Sequence, residues 1–368
     1  MTIQLKKCSK HVALPLAVGM LLLPGALFAA QSSDPESVAR DNWRATMKHM
    51  PVPHSGCFHA TYPNLVYESV ACEAELPNAR PIHAPRISSA AKIDSAQGGE
   101  AQTAGNGNSY VASTRGLINI ADAYFTSATV PGETSVGVAE YGNGGILGAN
   151  EYTLQINTNA SATTAACKSH SGCRVWQQFV YATDYYAKGK AAVFIEYWML
   201  DYASSGYSCP SGWHTQGSDC WKNGNLVSAP NVPATQLSGE GLYASVTAGG
   251  EDWVQYWSGS EGYIATGADS VLDIATVWDQ TEFNVFGDAG GSEAVFSNGT
   301  NIGVALLLSA GGVPVSCLGP AYEGTTGESN NLNLGACTTI NNVYERLNDA
   351  YDSFIEFPES LIYEVRVP

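Results

Sequence analysis

The sequence predicts an all-β protein: a two-sheet β-sandwich of concanavalin or jelly-roll type with a short N-terminal segment and disulfide-closed loops. Three observations predict it. From Tyr110 onward, short β-type runs alternate with Gly, Asn, Ser and Asp clusters, the spacing expected of sandwiches and jelly rolls. Helical periodicity is confined to "DPESVARDNWRATMKHM" near the N-terminus and "TINNVYERLNDAYD" at about 339–350. Eight of the nine cysteines fall into four close pairs with long gaps between the pairs, as in an exported domain with disulfide-closed loops.

Taken in order, residues 1–30 read as a secretory leader. Lys6, Lys7 and Lys10 precede an apolar run broken by Pro15 and Pro24, and the run ends at the small residues Ala29 and Ala30. It is too short and too broken to read as a membrane span. Residues 31–93 form a proline-containing N-terminal segment, read either as a propeptide or as a small accessory domain. "DSAQGGEAQTAGNGNS" (94–109) is a flexible linker by composition. Residues 110–368 form the sandwich, long enough for a single two-sheet core. Its strands are expected over "SVGVAEYG", "EYTLQINTN", "RVWQQFVYA", "AAVFIEYWMLDY", "GLYASVTAGG", "DWVQYWSG", "SVLDIATVW", "TEFNVFGD", "EAVFSNG", "NIGVALLLS" and "FIEFPESLIYEVRV". "GDAGGSE" (287–293) reads as a hairpin turn.

Loss of the leader removes three of 17 basic residues and none of 34 acidic ones, so the remaining charge is 14 − 34 = −20. Such a surface repels nucleic acid and anionic membranes. Cys8 leaves with the leader, and the clustering of the rest favours the pairs Cys57–Cys72, Cys167–Cys173, Cys209–Cys220 and Cys317–Cys337 among 105 possible connectivities. No CxxC or HxxxH spacing supports a metal site. A secreted location follows, or a periplasmic one in a bacterium, with no membrane association after leader removal.

Histidine placement narrows the chemistry. His170 and His214 lie in cysteine-bracketed loops, and no histidine follows 214. A Ser-His-Asp or Cys-His site on the sandwich strands is not expected on that ground, nor is a His-ligated zinc. No GxGxxG or Walker-type loop follows a strand, so no nucleotide cofactor is expected. Carboxylates and amides remain. In "CRVWQQFVY", alternation puts Gln178 on a face with Trp176 and Val180, and Gln177 on the other with Val175, Phe179 and Tyr181. Glu196 shares a face with Phe194 and Trp198, and Glu282 with Asn284 and Phe286. A carboxylate set among aromatic side chains is harder to ionise, and that equips a glutamate for acid–base work.

At these residues the sequence resembles the β-sandwich glutamic peptidases, the eqolisins and the plant neprosins. Eqolisins carry a strand with a catalytic Gln, then a Tyr-Glu-Trp strand, then a distant Ala-Glu-Phe/Trp strand. Here Gln178 is followed by Glu196 in "IEYW" and later by "TEFNVFGD". The neprosin likeness is closest over "WQQFVYATDYYAKGKAAVFIEYWMLDYASSGYSCPSGW", and together the two cover about residues 150–300. Where eqolisins place their catalytic Glu, four residues past the Glu of Ala-Glu-Phe, this chain has Phe286. Where neprosins place their first catalytic Glu, it has Cys173 and Arg174.

Neither family's pair is reproduced whole. The resemblance implies a hybrid catalytic pair, Gln178 with Glu282 on one concave sheet face, with Glu196 orienting the glutamine or the water, and Trp176, Trp198, Trp253, Trp257 and Asn284 along the substrate groove. The implied partner is a polypeptide, with no cofactor. Two other readings stand beside it. One is a non-catalytic sandwich that binds carbohydrate or peptide on a Trp/Tyr-rich face. The other is a glycosidase or lyase acting on polysaccharide through a carboxylate pair such as Glu196 and Glu282.

Overall fold

The computed structural model describes residues 34–74, 109–137, 147–167, 169–204, 206–288, 292–311, 315–318, 328–346 and 354–367. The expected leader and nearly all of the linker lie outside the described residues. Among the described residues one α-helix, α1 (Pro35–Lys48), accompanies 22 strands.

The strands, numbered along the chain, form three sheets among the described residues. The first has ten strands. It runs β2 (Glu68–Val70), β1 (Cys57–Thr61), β14 (Glu261–Ala268), β13 (Glu251–Ser258), β12 (Gly241–Ser245), β4 (Ile120–Thr129), β17 (Asn301–Ser309), β22 (Phe354–Arg366), β20 (Asn333–Leu334), with β21 (Thr338–Arg346) also on β22. The second has eight: β10 (His214–Gln216), β11 (Asp219–Pro230), β9 (Lys190–Leu200), β8 (Arg174–Ala187), β7 (Tyr152–Thr158), β15 (Gln280–Gly287), β3 (Val111–Ser113) and β18 (Ser316–Leu318). A small sheet of four joins β19 (Ser329–Asn330), β16 (Glu293–Phe296), β5 (Glu133–Val136) and β6 (Gly148–Ala149).

The two large sheets pack face to face as a sandwich. Phe125, Val254, Tyr256 and Leu306 of the first sheet meet Ile156, Val175, Phe179, Ile195 and Phe283 of the second in one core. Phe125 lies 5.0 Å from Phe283, and Tyr181 stacks on Tyr256 at 4.1 Å, both between sheets. Each such buried side chain contributes about 1.5–3 kcal/mol. All four expected disulfides are present, Cys57–Cys72, Cys167–Cys173, Cys209–Cys220 and Cys317–Cys337.

The N-terminal segment is built into the first sheet. Its strand β1 pairs antiparallel with β14. Helix α1 opens on Asp34, whose side chain accepts from the Glu36 N–H, with Pro35 preset for a first helical turn. Trp43 and Met47 then pack with Phe58, Trp257 and Ile264 on the face of the first sheet turned away from the second. Lys48 reaches both carboxylate oxygens of Asp122 at 2.7 Å, and both residues are buried.

Three expected elements differ. "SVLDIATVW" forms two 3-10 turns, Asp269–Val271 and Ile274–Thr276, rather than a strand. The Asp269 carboxylate accepts from the Gly249 and Ala275 N–H groups at 3.0 Å, and this curls the backbone. The expected helix at 339–350 is strand β21 as far as Arg346. Pairing with β22 and the β-branched and aromatic residues Thr338, Thr339, Ile340, Val343 and Tyr344 outweigh its helical spacing. The strands flanking "GDAGGSE" join different sheets, so that turn does not close a hairpin.

Candidate functional site

Strand register places the candidate residues. Glu196 of β9 stands opposite Gln178 of β8, Gln178 opposite Asn157 of β7, and Asn157 opposite Glu282 of β15. Directly opposed residues project to the same side of a sheet. The four side chains therefore form one transverse row on the face of the second sheet turned away from the sandwich core. Beside it runs a second row, with Asn284 opposite Gln155. Trp176, Trp198 and Trp221 cluster at one flank, and Val180, Phe194 and Leu226 at the other. Glu196, Gln178, Asn157, Gln155, Asn284 and Glu282 are all 0% exposed.

Hydrogen bonds join the row end to end. The Trp198 indole Nε1–H donates to Glu196 Oε1 at 2.9 Å and to Gln178 Oε1 at 3.2 Å. Gln178 Nε2 donates to Gln155 Oε1 and Asn157 Oδ1, both at 3.0 Å. Asn157 Nδ2 donates to Glu282 Oε1 at 2.8 Å and to Gln155 Oε1 at 3.1 Å. Gln155 Nε2 in turn donates to Thr153 Oγ1 at 2.8 Å. The other Glu282 oxygen, Oε2, accepts from the hydroxyl of buried Ser109.

The neighbouring glutamine serves the other face. Gln177 Nε2 donates to Asp252 Oδ2 of the first sheet at 2.9 Å, across the sandwich interior. Burial pushes the Asp252 carboxyl up to about 8, a rise opposed by the Gln177 hydrogen bond. Gln177 Oε1, Asp252 Oδ1 and the Tyr197 hydroxyl are buried with no hydrogen-bond partner among the described residues. Alternation thus assigned both faces of β8 as expected, and both glutamines are buried.

Other expected placements need correction. Trp257 lies on the outer face of the first sheet, edge-on to Trp43 at 5.5 Å, so it does not line a groove with Gln178. Trp253 is on that same strand and face. Trp176 and Trp198 do flank the row, but both are buried, and Trp176 donates its indole N–H to Thr158 O. Asn284 accepts from the Val285 N–H at 2.8 Å. Phe286 is fully buried and faces Thr153 in register. Glu196 and Glu282 are three strands apart, about 14 Å at the usual ~4.8 Å strand spacing. That exceeds the separation of about 5–9.5 Å used by paired-carboxylate glycosidases.

Three residues of the site were not singled out in the sequence: Asn157, Gln155 and Ser109. The first two carried a usable signal, because Thr153, Gln155 and Asn157 alternate with Leu154 and Ile156 in "EYTLQINTN". Ser109 carried none. Among the described residues no three His, Cys, Asp or Glu side chains are grouped to hold a metal ion.

No family model matches this chain, and no curated protein matches it. Among solved structures it is similar to scytalido-glutamic peptidase with a transition state analog inhibitor, at 10% identity and a TM-score of 0.28. That match covers 70% of this chain and 97% of the other. It is also similar to SCP-B, a member of the eqolisin family of peptidases in a complex with the tripeptide Ala-Ile-His, at 7% identity and a TM-score of 0.31. There the coverage is 71% of this chain and 97% of the other. Both likenesses are distant.

Proposed function

We propose that this chain is a secreted peptidase of glutamic type, with Glu282 as general base and a side-chain amide of the same row as oxyanion donor. The observation that carries the reading is the direct contact between a buried carboxylate and a side-chain amide, Glu282 Oε1 with Asn157 Nδ2 at 2.8 Å. Gln178 stands in register on the next strand. The four disulfides suit an oxidising, extracellular setting.

In the reaction, Glu282 takes a proton from a water as the water oxygen bonds to the scissile carbonyl carbon. The carbonyl oxygen becomes an oxyanion held by amide N–H, a contact whose loss typically costs about 2.7–4 kcal/mol in the barrier. Glu282 then returns the proton to the amide nitrogen, the C–N bond breaks, and a carboxylic acid and an amine leave. The row is closed to solvent, so water reaches Glu282 only when a neighbour withdraws. Ser109, on Oε2, is one such neighbour.

The test is proteolysis of a denatured protein across pH 2–7, wild type against Glu282→Gln. The variant should lose about 10²–10⁴ in rate. Undiminished activity in the variant removes Glu282 from the mechanism.

A further inference from the structure

We infer that Asn157 is the amide that meets the oxyanion at Glu282, and that Gln178 is the residue that positions it. This assignment rests on the peptidase reading above and specifies its donor.

The direction of the hydrogen-bond chain decides the point. An indole Nε1–H can only donate. The Trp198 Nε1–H is shared between Glu196 Oε1 at 2.9 Å and Gln178 Oε1 at 3.2 Å, so the oxygen of the Gln178 amide faces Trp198 and its NH₂ faces Asn157. The Asn157 oxygen is then turned towards Gln178 and its NH₂ towards Glu282. The result is one unidirectional run of donors, from Trp198 through Gln178 and Asn157, that ends on the carboxylate. Each bond in such a run polarises the next, which strengthens the last donor.

Asn157 commits both its N–H hydrogens, to Glu282 Oε1 and Gln155 Oε1, but the hydrogens of Gln178 are all spent away from the carboxylate. Its two N–H bonds go to Gln155 Oε1 and Asn157 Oδ1, and it stands one strand further from Glu282 than Asn157 does. To reach an oxyanion beside Glu282 it would have to break both bonds and turn past Asn157. Asn157 needs no such turn. It already aims one N–H at Glu282 Oε1 over 2.8 Å, so when the two separate to admit a water on that oxygen, the freed N–H faces the reacting atoms. An oxyanion donor is required 2.7–3.1 Å from the developing charge, and Asn157 is the row's amide in direct contact with Glu282.

The test compares Asn157→Asp, Gln178→Met and Glu282→Gln on a denatured protein substrate across pH 2–7, with circular dichroism and a thermal melt for each. Asn157→Asp preserves shape but replaces a donor by an acceptor when ionised. Its kcat should fall about 10²–10³-fold with KM within about twofold. Its residual activity should rise toward low pH, where the new carboxyl is protonated and donates again. The loss of kcat at nearly unchanged KM in a folded variant is the part that a purely structural residue would not produce. Gln178→Met should lose less than Asn157→Asp, with the wild-type pH profile. If Asn157→Asp does not fold, Asn157→Ser, a shorter donor, should keep the wild-type profile at a lower kcat. A folded Asn157→Asp with wild-type kcat and profile overturns the assignment, as does a Gln178→Met loss exceeding that of Asn157→Asp. If Glu282→Gln is inactive while Asn157→Asp is unaffected, the assignment alone fails. If Glu282→Gln is fully active, or the wild type cleaves nothing across this range, the peptidase reading fails and the assignment with it.

Discussion

Gln177 and Asp252 are joined by a 2.9 Å hydrogen bond inside the sandwich, one residue along β8 from the amide that serves the outer face. An acid so placed is stable only with its proton. Its carboxyl titrates at about 8 against an ordinary 3.8. Between those values the folded chain holds a proton that the unfolded chain has lost, so stability falls as pH rises through this window. Below about 4 and above about 8 this group contributes no slope. Asp252→Asn should flatten the dependence of melting temperature on pH between 4 and 8. An equally steep slope in the variant would show that Asp252 is not its source.

A second set of acids acts in the same direction. Burial lifts Glu133 and Glu151 to about 8, with Asp288 adding repulsion to both and Asp184 to Glu151. The Glu133 Oε2 atom is buried with no partner among the described residues. Glu133→Gln should therefore raise the melting temperature at pH 7–8 and leave it unchanged at pH 4, where the native residue is already neutral. Differential scanning calorimetry at the two pH values checks this. A gain of equal size at pH 4 would point to packing instead of charge.

Much of this site was legible because its strands alternate so cleanly. The aromatic neighbours of Gln178, Glu196 and Glu282 reveal which residues share a face, and the structure puts all three on one side of one sheet. Alternation cannot say which of two sheets a strand joins, so Trp257 was grouped with residues that lie on the other side of the sandwich. Nor does it rank polar residues, so Asn157 was not singled out within the expected strand "EYTLQINTN" although it holds the centre of the row. The 3-10 turns at 269–276 depend on the Asp269 carboxylate meeting a backbone N–H twenty residues earlier, at Gly249, a contact with no local signature.

Helix α1 is fixed by a buried ion pair. Lys48 is 8% exposed and Asp122 1%, with 2.7 Å to each carboxylate oxygen. Removing one partner of a buried pair costs about 3–5 kcal/mol. Lys48→Met should lower stability in urea by that order. The double variant Lys48→Met/Asp122→Leu should recover much of it. Failure of the double variant to recover would mean that α1 is held by Trp43 and Met47 instead.

The Cys57–Cys72 disulfide closes a loop with a sequence separation of 15 inside the N-terminal segment. A cross-link over a loop of this length stabilises by about 3 kcal/mol. Replacing both cysteines by Ala should cost about that much in a denaturant melt. Because Cys57 belongs to β1, the loss should appear first as faster amide exchange along β1 and β14. Exchange that accelerates uniformly across both sheets would argue against this local effect.

The pairing of β1 with β14 also bears on how the protein can be produced. A recombinant chain begun at Tyr110 would present β14 as a bare sheet edge, with the indole of Trp257 and the side chain of Ile264 newly wetted beside it. Unpaired edges with apolar surroundings recruit other chains. Shortened to its sandwich alone, this protein should collect in inclusion bodies, and adding residues 34–74 as a separate peptide during refolding should return it to solution.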